Sequence, residues 1–316
     1  MWTGGSTGRG AGSTPRLSGR SWQTAAEGAD GMAGTVFIFG LGYVGRPLGH
    51  RLAAAGWQVR GTTRTPSRLA AQAEAGWQIH EFADDRPLAD PDAALDGVDA
   101  LITTITAIGG SDPVLDAHGE LIADFKGWSG YVSATSVYPD TPDGFCYEDT
   151  PTGPATARGR ARVEAEQRWL DLLGTEIFRA AGIYGPGRSP FDALRDGTSR
   201  IIEHRGQVFN RIHVEDICRV IEAAMAQPRR GRIINLADNK PAPQGDVVRH
   251  AAGLIGVEPP QPQSLKEANL SPMARSFYVS RRKVASKVIG PELGLDLLYP
   301  DYESGLAAIL KAEIEG

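Results

Sequence analysis

The sequence predicts an α/β protein: a doubly wound parallel sheet with a smaller C-terminal lobe. Three observations predict it. Apolar, β-branched runs alternate with helix-period segments between residues 36 and 182. The first run ends in three glycines, Gly40, Gly42 and Gly45, in the spacing G-x-G-x-x-G. Beyond residue 184 the alternation gives way to loops, short helices and a proline-rich linker.

The first unit is the most informative. Residues 36–39 are β-branched and aromatic, as a buried strand requires, and Val44, Leu48, Leu52 and Ala55 recur behind them at helical spacing. Pro47 falls in the first helical turn, where a missing N–H costs little. Between strand and helix, the first glycine permits a tight turn and the second lets backbone approach a pyrophosphate. The third removes a side chain where helix packs on strand. A pyrophosphate there meets unpaired N–H groups at the positive end of the helix. Gly40, Leu41, Gly42, Tyr43, Val44 and Gly45 are therefore the candidate dinucleotide-binding residues.

Residues 57–61 read as the second strand. Its end is where an Asp or Glu receives the ribose hydroxyls in NAD-selective folds. No acid occurs there; Thr62, Thr63, Arg64 and Thr65 follow instead. A forked guanidinium suits a 2′-phosphate, so Thr63 and Arg64 point to NADP, with NAD as the alternative cofactor and a solvated basic loop as the plain alternative.

Residues 66–75 read as a helix and 77–82 as the third strand, with Asp84 and Asp85 either at an adenine edge or in a surface turn. The run 98–106 is nearly all β-branched, as in a central strand buried on both faces, and its end brings Thr103 and Thr104 to the cofactor edge. A helix over 112–125 precedes the fifth strand and its exit, 130–138, which carries Ser133, Thr135 and Tyr138. A helix including 163–173 then leads to the sixth strand, 176–182, ending at Gly182. Right-handed crossovers between parallel strands make this a Rossmann-type domain over residues 34–184. Residues 185–316 are expected to form mainly a substrate lobe, from which a late strand (232–236) and a helix return to the sheet. Within it, 207–212 reads as a small strand and 214–226 and 245–255 as helices.

Composition narrows the partners. A net charge of −5 argues against nucleic acid, and the two cysteines, Cys146 and Cys218, have neither metal-ligand nor disulfide spacing. No apolar run approaches the roughly 18 residues of a membrane span. The expected setting is a reducing cytoplasm, the expected ligand a small molecule, and the expected state a monomer or homodimer. Residues 1–33 are rich in Gly, Ser, Thr and Arg with few large aliphatics. They read as a disordered tail, or as sequence upstream of a working initiator at Met32.

Five segments together resemble the extended branch of the short-chain dehydrogenase/reductase superfamily, which includes sugar-nucleotide epimerases and dehydratases. They are FGLGYVGRPL from Phe39, SATSVYPD from Ser133, FRAAGIYGPGR from Phe178, RIHVEDI from Arg211 and INLADNKP from Ile234. The resemblance covers residues 34–314 and is nearest to atypical members. It implies a Ser or Thr after the fifth strand and a Tyr-x-x-x-Lys pair opening the next helix. In that pair the tyrosine moves a proton at the substrate oxygen, and the lysine lowers its pKa and holds the nicotinamide ribose. Here the aligned helix reads PATARGRARVEAEQ, placing Arg158 at the Tyr position, Arg162 at the Lys position and Ala134 at the Ser/Thr position.

An arginine stays protonated and cannot act as a phenol-like acid. Arg162 can still bond a ribose, and Arg158 can bind an anion or polarise a carbonyl. The plain alternative is a solvated basic face paired with Glu164 or Glu166. Thr135, Tyr138, Arg158 and Arg162 are the candidate catalytic residues, with Tyr184 as another phenol. The candidate cofactor contacts are the glycine turn, Thr63, Arg64, Thr103, Thr104, Ser133 and Gly182; no metal is expected. His213 and Asp216 read as structural, and Arg188 as a substrate-anion ligand or an ordinary loop residue. Three functions follow: an NADP-preferring oxidoreductase acting on a small carbonyl or alcohol, a non-catalytic NADP(H) sensor, or an epimerase or dehydratase.

Overall fold

The protein is seen as a computed structural model that describes residues 33–107, 109–141, 144–278 and 281–315. The expected tail, apart from Ala33, lies outside these residues. The first half comprises β1 (Gly34–Phe39), α1 (Gly45–Ala54), β2 (Trp57–Thr63), α2 (Ala70–Glu74), β3 (Gln78–Glu81), α3 (Pro91–Leu95), β4 (Ala100–Thr103), α4 (Pro113–Ile122) and β5 (Trp128–Ala134). There follow β6 (Phe145–Cys146), α5 (Ala157–Leu173), β7 (Glu176–Ala180), β8 (Gly182–Tyr184), α6 (Pro190–Arg195), β9 (Ile201–Glu203), β10 (Arg211–His213) and α7 (Val214–Ala226). The chain continues through β11 (Ile233–Leu236), α8 (Gln244–Ile255), β12 (Pro262–Ser264), α9 (Pro272–Ser276), β13 (Lys283–Val284) and α10 (Tyr302–Glu315).

Seven strands form one parallel sheet in the order β11-β7-β5-β4-β1-β2-β3. This is the doubly wound α/β architecture that the alternation predicts. Side chains of β1 explain why its sequence is apolar throughout. Val36 and Ile38 enter a cluster with α1 and α7 on one face of the sheet. Phe37 and Phe39 enter a second cluster with α4 and α5 on the other. Each such side chain removed from water stabilises the fold by about 1.5–3 kcal/mol, and period 2 distributes them between both faces.

Several boundaries differ from the sequence pattern, each for a local reason. The fourth strand ends at Thr103 and not at residue 106, because Thr104 turns aside to bond the glycine turn. The fifth ends at Ala134, where Thr135–Val137 closes a 3-10 turn through Tyr138 N–H to Thr135 O. The sixth divides: β7 stays in the sheet, whereas β8 pairs with β10. Helix α5 includes the expected 163–173 and begins at Ala157, with the Thr156 hydroxyl accepting from Gly159 N–H at 3.1 Å. Its arginine-rich opening hides the apolar period, which appears only as Ala161, Ala165, Trp169 and Leu173 in buried four-residue steps.

The late strand β11 joins the sheet edge beside β7. The remaining lobe has its own core, in which Phe191 and Leu194 of α6 meet Val247 and Ala251 of α8 and Leu306 and Ile309 of α10. Asp216 ties the lobe's last segment to α7: its fully buried carboxylate accepts from Leu298 N–H at 2.7 Å and Tyr299 N–H at 2.9 Å. Among the described residues, no helix is long and apolar enough to cross a membrane.

Candidate active site

The carboxyl ends of β1, β4, β5 and β7 open into a cleft of about 1520 Å³, closed on the far side by the lobe. At one end lies the glycine turn, and each glycine has a separate reason. Gly40 has φ +96°, and a Cβ there would meet Thr104 Oγ1 at 2.6 Å. At Gly45 a Cβ would meet Gly40 O at 2.2 Å, so α1 seats against β1 only without a side chain. At Gly42 a Cβ would meet nothing within 4 Å. The second glycine is thus not needed for packing, and its free face borders the cleft.

Two threonines hold the turn. Thr62 Oγ1 accepts from Gly40 N–H at 2.9 Å, and Thr104 Oγ1 donates to Gly40 O at 2.7 Å. Among the described residues the amides of Gly42, Tyr43 and Val44 have no partner, and no acid lies in the first turn of α1. Open backbone, unpaired donors and a helix start fit a dinucleotide pyrophosphate. At the end of β2, Arg64 is exposed and has no ion-pair or hydrogen-bond partner among the described residues, while the Thr63 hydroxyl accepts from Thr65 N–H. Asp84 and Asp85 lie in the surface turn closed by Ala83 and Arg86.

The structure redistributes the sequence's other cofactor candidates. Thr104, Ser133 and Gly182 line the cleft with Gly40, Gly42, Tyr43 and Val44. Thr103 does not; it is fully buried in β4, its hydroxyl accepting from Ile105 N–H. Leu41 also turns inward, under the backbone at Gly61. Their expected cofactor contacts are corrected accordingly: both belong to the support beneath the turn.

The opposite end of the cleft is formed by the exit of β5 and the head of α5. Thr135, Ser136, Arg158 and Arg162 all line it. Gly159 allows this junction, because a Cβ there would meet Ser136 O at 2.5 Å. Residues 158, 162 and 166 form one ridge of α5, and the ridge divides by depth. Arg158 is exposed and lies over the Phe277 ring at 5.4 Å, Arg162 is half-buried, and Glu166 is buried. Neither arginine pairs with Glu164 or Glu166, so the paired-surface alternative does not describe them. Burial, with the Arg158 charge adding to it, pushes the Arg162 guanidinium below its ordinary range.

Tyr138 is displaced from the site altogether. Its ring is fully buried, and its hydroxyl donates to Asn235 Oδ1 at 2.8 Å while accepting from Arg179 at 2.9 Å. Arg179 in turn pairs with Glu166 at 2.8 Å, and Glu166 accepts from the Ser133 hydroxyl at 2.5 Å. The network locks β5, α5, β7 and β11 together beneath the cleft. Burial pushes the Tyr138 phenol up to about 12. A proton-donor role for Tyr138 does not fit this placement; its role is structural, and the expectation is corrected.

On the lobe wall, Tyr184 reaches the cleft, but its hydroxyl donates to Asp301 O, and burial raises its pKa. Arg188 stacks over Tyr43 at 5.3 Å, beside the glycine turn. His213 caps α7, its Nδ1 accepting from Glu215 N–H at 3.2 Å, and burial lowers its pKa to about 4. It is neutral at physiological pH and structural. Sequence reasoning missed Arg282, Arg200 and Arg211, which come from separate parts of the lobe to line the cleft. No spacing links them; the β6–β13 pairing, with Asn210 and Asp140 bonding the same segment, brings residue 282 near Thr135, to whose carbonyl it donates at 2.9 Å.

Residues 35–147 match the NAD binding domain of 6-phosphogluconate dehydrogenase. The sheet, the glycine turn and this match define an NAD-binding Rossmann protein. Its fold is shared with a heptose epimerase of Helicobacter pylori and a dTDP-glucose 4,6-dehydratase of Bacillus anthracis, at 15% and 16% identity, a likeness of fold alone. The chain belongs to the family of protein YeeZ of Escherichia coli. It is 31% identical to that protein over 279 residues, which span 84% of this chain and 96% of YeeZ. A conserved protein of unknown function from Silicibacter pomeroyi is similar in structure, with 43% identity and a TM-score of 0.82 over 88% of this chain and 99% of that one. A 3-diazoavenalumate denitrifying reductase from Streptomyces is 28% identical over 178 residues, 54% of this chain and 56% of that protein.

Proposed function

We propose that the protein binds NADP(H) in preference to NAD(H) and acts as an oxidoreductase on a small carbonyl or alcohol. The observation that carries the reading is the open face at Gly42, a glycine that packing does not require, beside three unpaired amides. Arg64, without a partner among the described residues at the end of a β2 that carries no acid, supports the phosphate preference. The partial likeness to a reductase supports the reaction class.

The bound cofactor supplies hydride, and the chain supplies position and charge. Thr62 and Thr104 fix the turn, and the amides of Gly42, Tyr43 and Val44 donate to the pyrophosphate. At the far end Arg158 stands where a proton donor stands in related proteins. As a fixed cation it attracts negative charge on the substrate without giving up a proton. Thr135 and Ser136 line the same cleft.

A second reading, a non-catalytic NADP(H) sensor, is favoured by the sequestration of Tyr138 beneath the cleft. Epimerase or dehydratase chemistry depends still more on positioned acids and bases and is the least favoured. NADPH absorbance followed across a panel of carbonyls and sugars separates these readings: substrate-dependent oxidation supports the enzyme, and none across the panel supports the sensor. For the cofactor, Arg64→Glu is expected to weaken NADP binding by about a hundredfold, through loss of a charge-assisted contact and gain of repulsion, and NAD binding by less than about threefold. Equal losses, read by titration calorimetry, would sink the phosphate assignment.

A further inference from the structure

We infer that the substrate is an oxyanion, a small molecule whose carboxylate or phosphate is held by Arg158 and Arg162 at the head of α5. This rests on the reading that the same cleft holds NADP(H). The chain as a whole is acidic, with 38 Asp and Glu against 33 Lys and Arg. The cleft reverses this balance. Among the described residues it is lined by Arg158, Arg162, Arg188, Arg200, Arg211 and Arg282, and by no Asp, Glu, Lys or His.

None of the six makes an ion pair among the described residues, whereas the buried Arg179 and Arg232 outside the cleft each hold a carboxylate. Arg200, Arg211 and Arg282 bond only neutral backbone carbonyls. Arg162 has no hydrogen-bond partner there at all, and its buried Nε is unsatisfied, as is that of Arg282. The nearby carboxylate of Glu166 is committed to Arg179 and Ser133. Two like charges one helical turn apart, one exposed and one half-buried, neither in an ion pair among the described residues, repel each other, and a bound anion offsets that repulsion.

The cofactor's own phosphates do not serve. The glycine turn follows β1 and Arg64 follows β2, whereas α5 follows β5, two strands from β1 on the other side. At sheet spacing that is about 10 Å from the pyrophosphate position. Carboxylate and phosphate share the planar or tetrahedral oxygens that a forked guanidinium binds, which explains arginine and not lysine at these positions.

The test titrates NADP-saturated protein with oxalate and, separately, with inorganic phosphate. Wild type is compared with the double variant Arg158→Gln/Arg162→Gln and with Arg160→Gln, which alters an exposed arginine of the same helix outside the cleft. Each protein is saturated according to its own measured NADP affinity. Saturable binding of at least one anion is expected, weakened about tenfold or more in the double variant and unchanged in Arg160→Gln. Tighter oxalate marks a carboxylate substrate and tighter phosphate a phosphorylated one. No saturable binding to wild type, unchanged affinity in the double variant, or an equal loss in Arg160→Gln would overturn the inference. Should NADP fail to bind, the cofactor reading falls, and the same titrations of the free protein decide the anion site alone.

Discussion

Gly42→Val is expected to leave the folded protein as stable as wild type while weakening NADP(H) binding by about a hundredfold or more. The two halves of that result have separate causes. A Cβ at Gly42 would meet no protein atom within 4 Å, and the residue does not need the left-handed backbone that Gly40 adopts. No fold energy is therefore lost. The added branches occupy the space through which a pyrophosphate approaches the amides, removing at least two charge-assisted hydrogen bonds of about 1.5 kcal/mol each. Gly45→Val provides the contrast. Its Cβ would meet Gly40 O at 2.2 Å, so that variant loses stability first and binding as a consequence. Thermal melts with cofactor titrations check both; a Gly42→Val protein that binds NADP normally contradicts the placement of the pyrophosphate.

Glu166→Ala is expected to destabilise the protein by about 3–5 kcal/mol, because it leaves the Arg179 guanidinium buried without its carboxylate. Both partners are almost fully enclosed, at 3% and 4% side-chain exposure, so water cannot substitute for the lost oxygens. The loss spreads along the network, since Arg179 also holds the Tyr138 hydroxyl and Glu166 the Ser133 hydroxyl. Removing both charges together, in Glu166→Met/Arg179→Met, is expected to cost much less than Glu166→Ala alone, as apolar replacement of a buried pair often does. Urea unfolding measures this directly. A Glu166→Ala midpoint equal to wild type would show that the pair does not hold the sheet and α5 together.

What the sequence discloses is local, and what it hides is long-range. The glycine turn is written in six consecutive residues, Gly40 to Gly45, with matching flanks, and the two-faced burial of β1 follows from an unbroken apolar run. The NAD-binding Rossmann domain was therefore legible. The fate of Tyr138 was not. Its neighbours SATSVYPD place it at the cleft, but the 3-10 turn carries it inward to partners 41 and 97 residues away. Arg179 and Asn235 carry no local sign of that role. Likewise Thr103 and Thr104 are adjacent in sequence, yet only Thr104 braces the turn, because the strand ends between them. Arg158 and Arg162 were legible as a departure from the related pattern. That neither makes an ion pair among the described residues emerged only once the cleft wall was assembled from distant segments.

The central claim is that the glycine turn and Arg64 hold NADP with its nicotinamide directed to the head of α5. A crystal structure of the protein soaked with NADP tests it most directly. The expected result places pyrophosphate oxygens within hydrogen-bond distance of the Gly42, Tyr43 or Val44 amides, the 2′-phosphate against Arg64, and the nicotinamide beside Thr135. A dinucleotide bound elsewhere, or seated on the turn with its 2′-phosphate directed away from Arg64, would contradict the account.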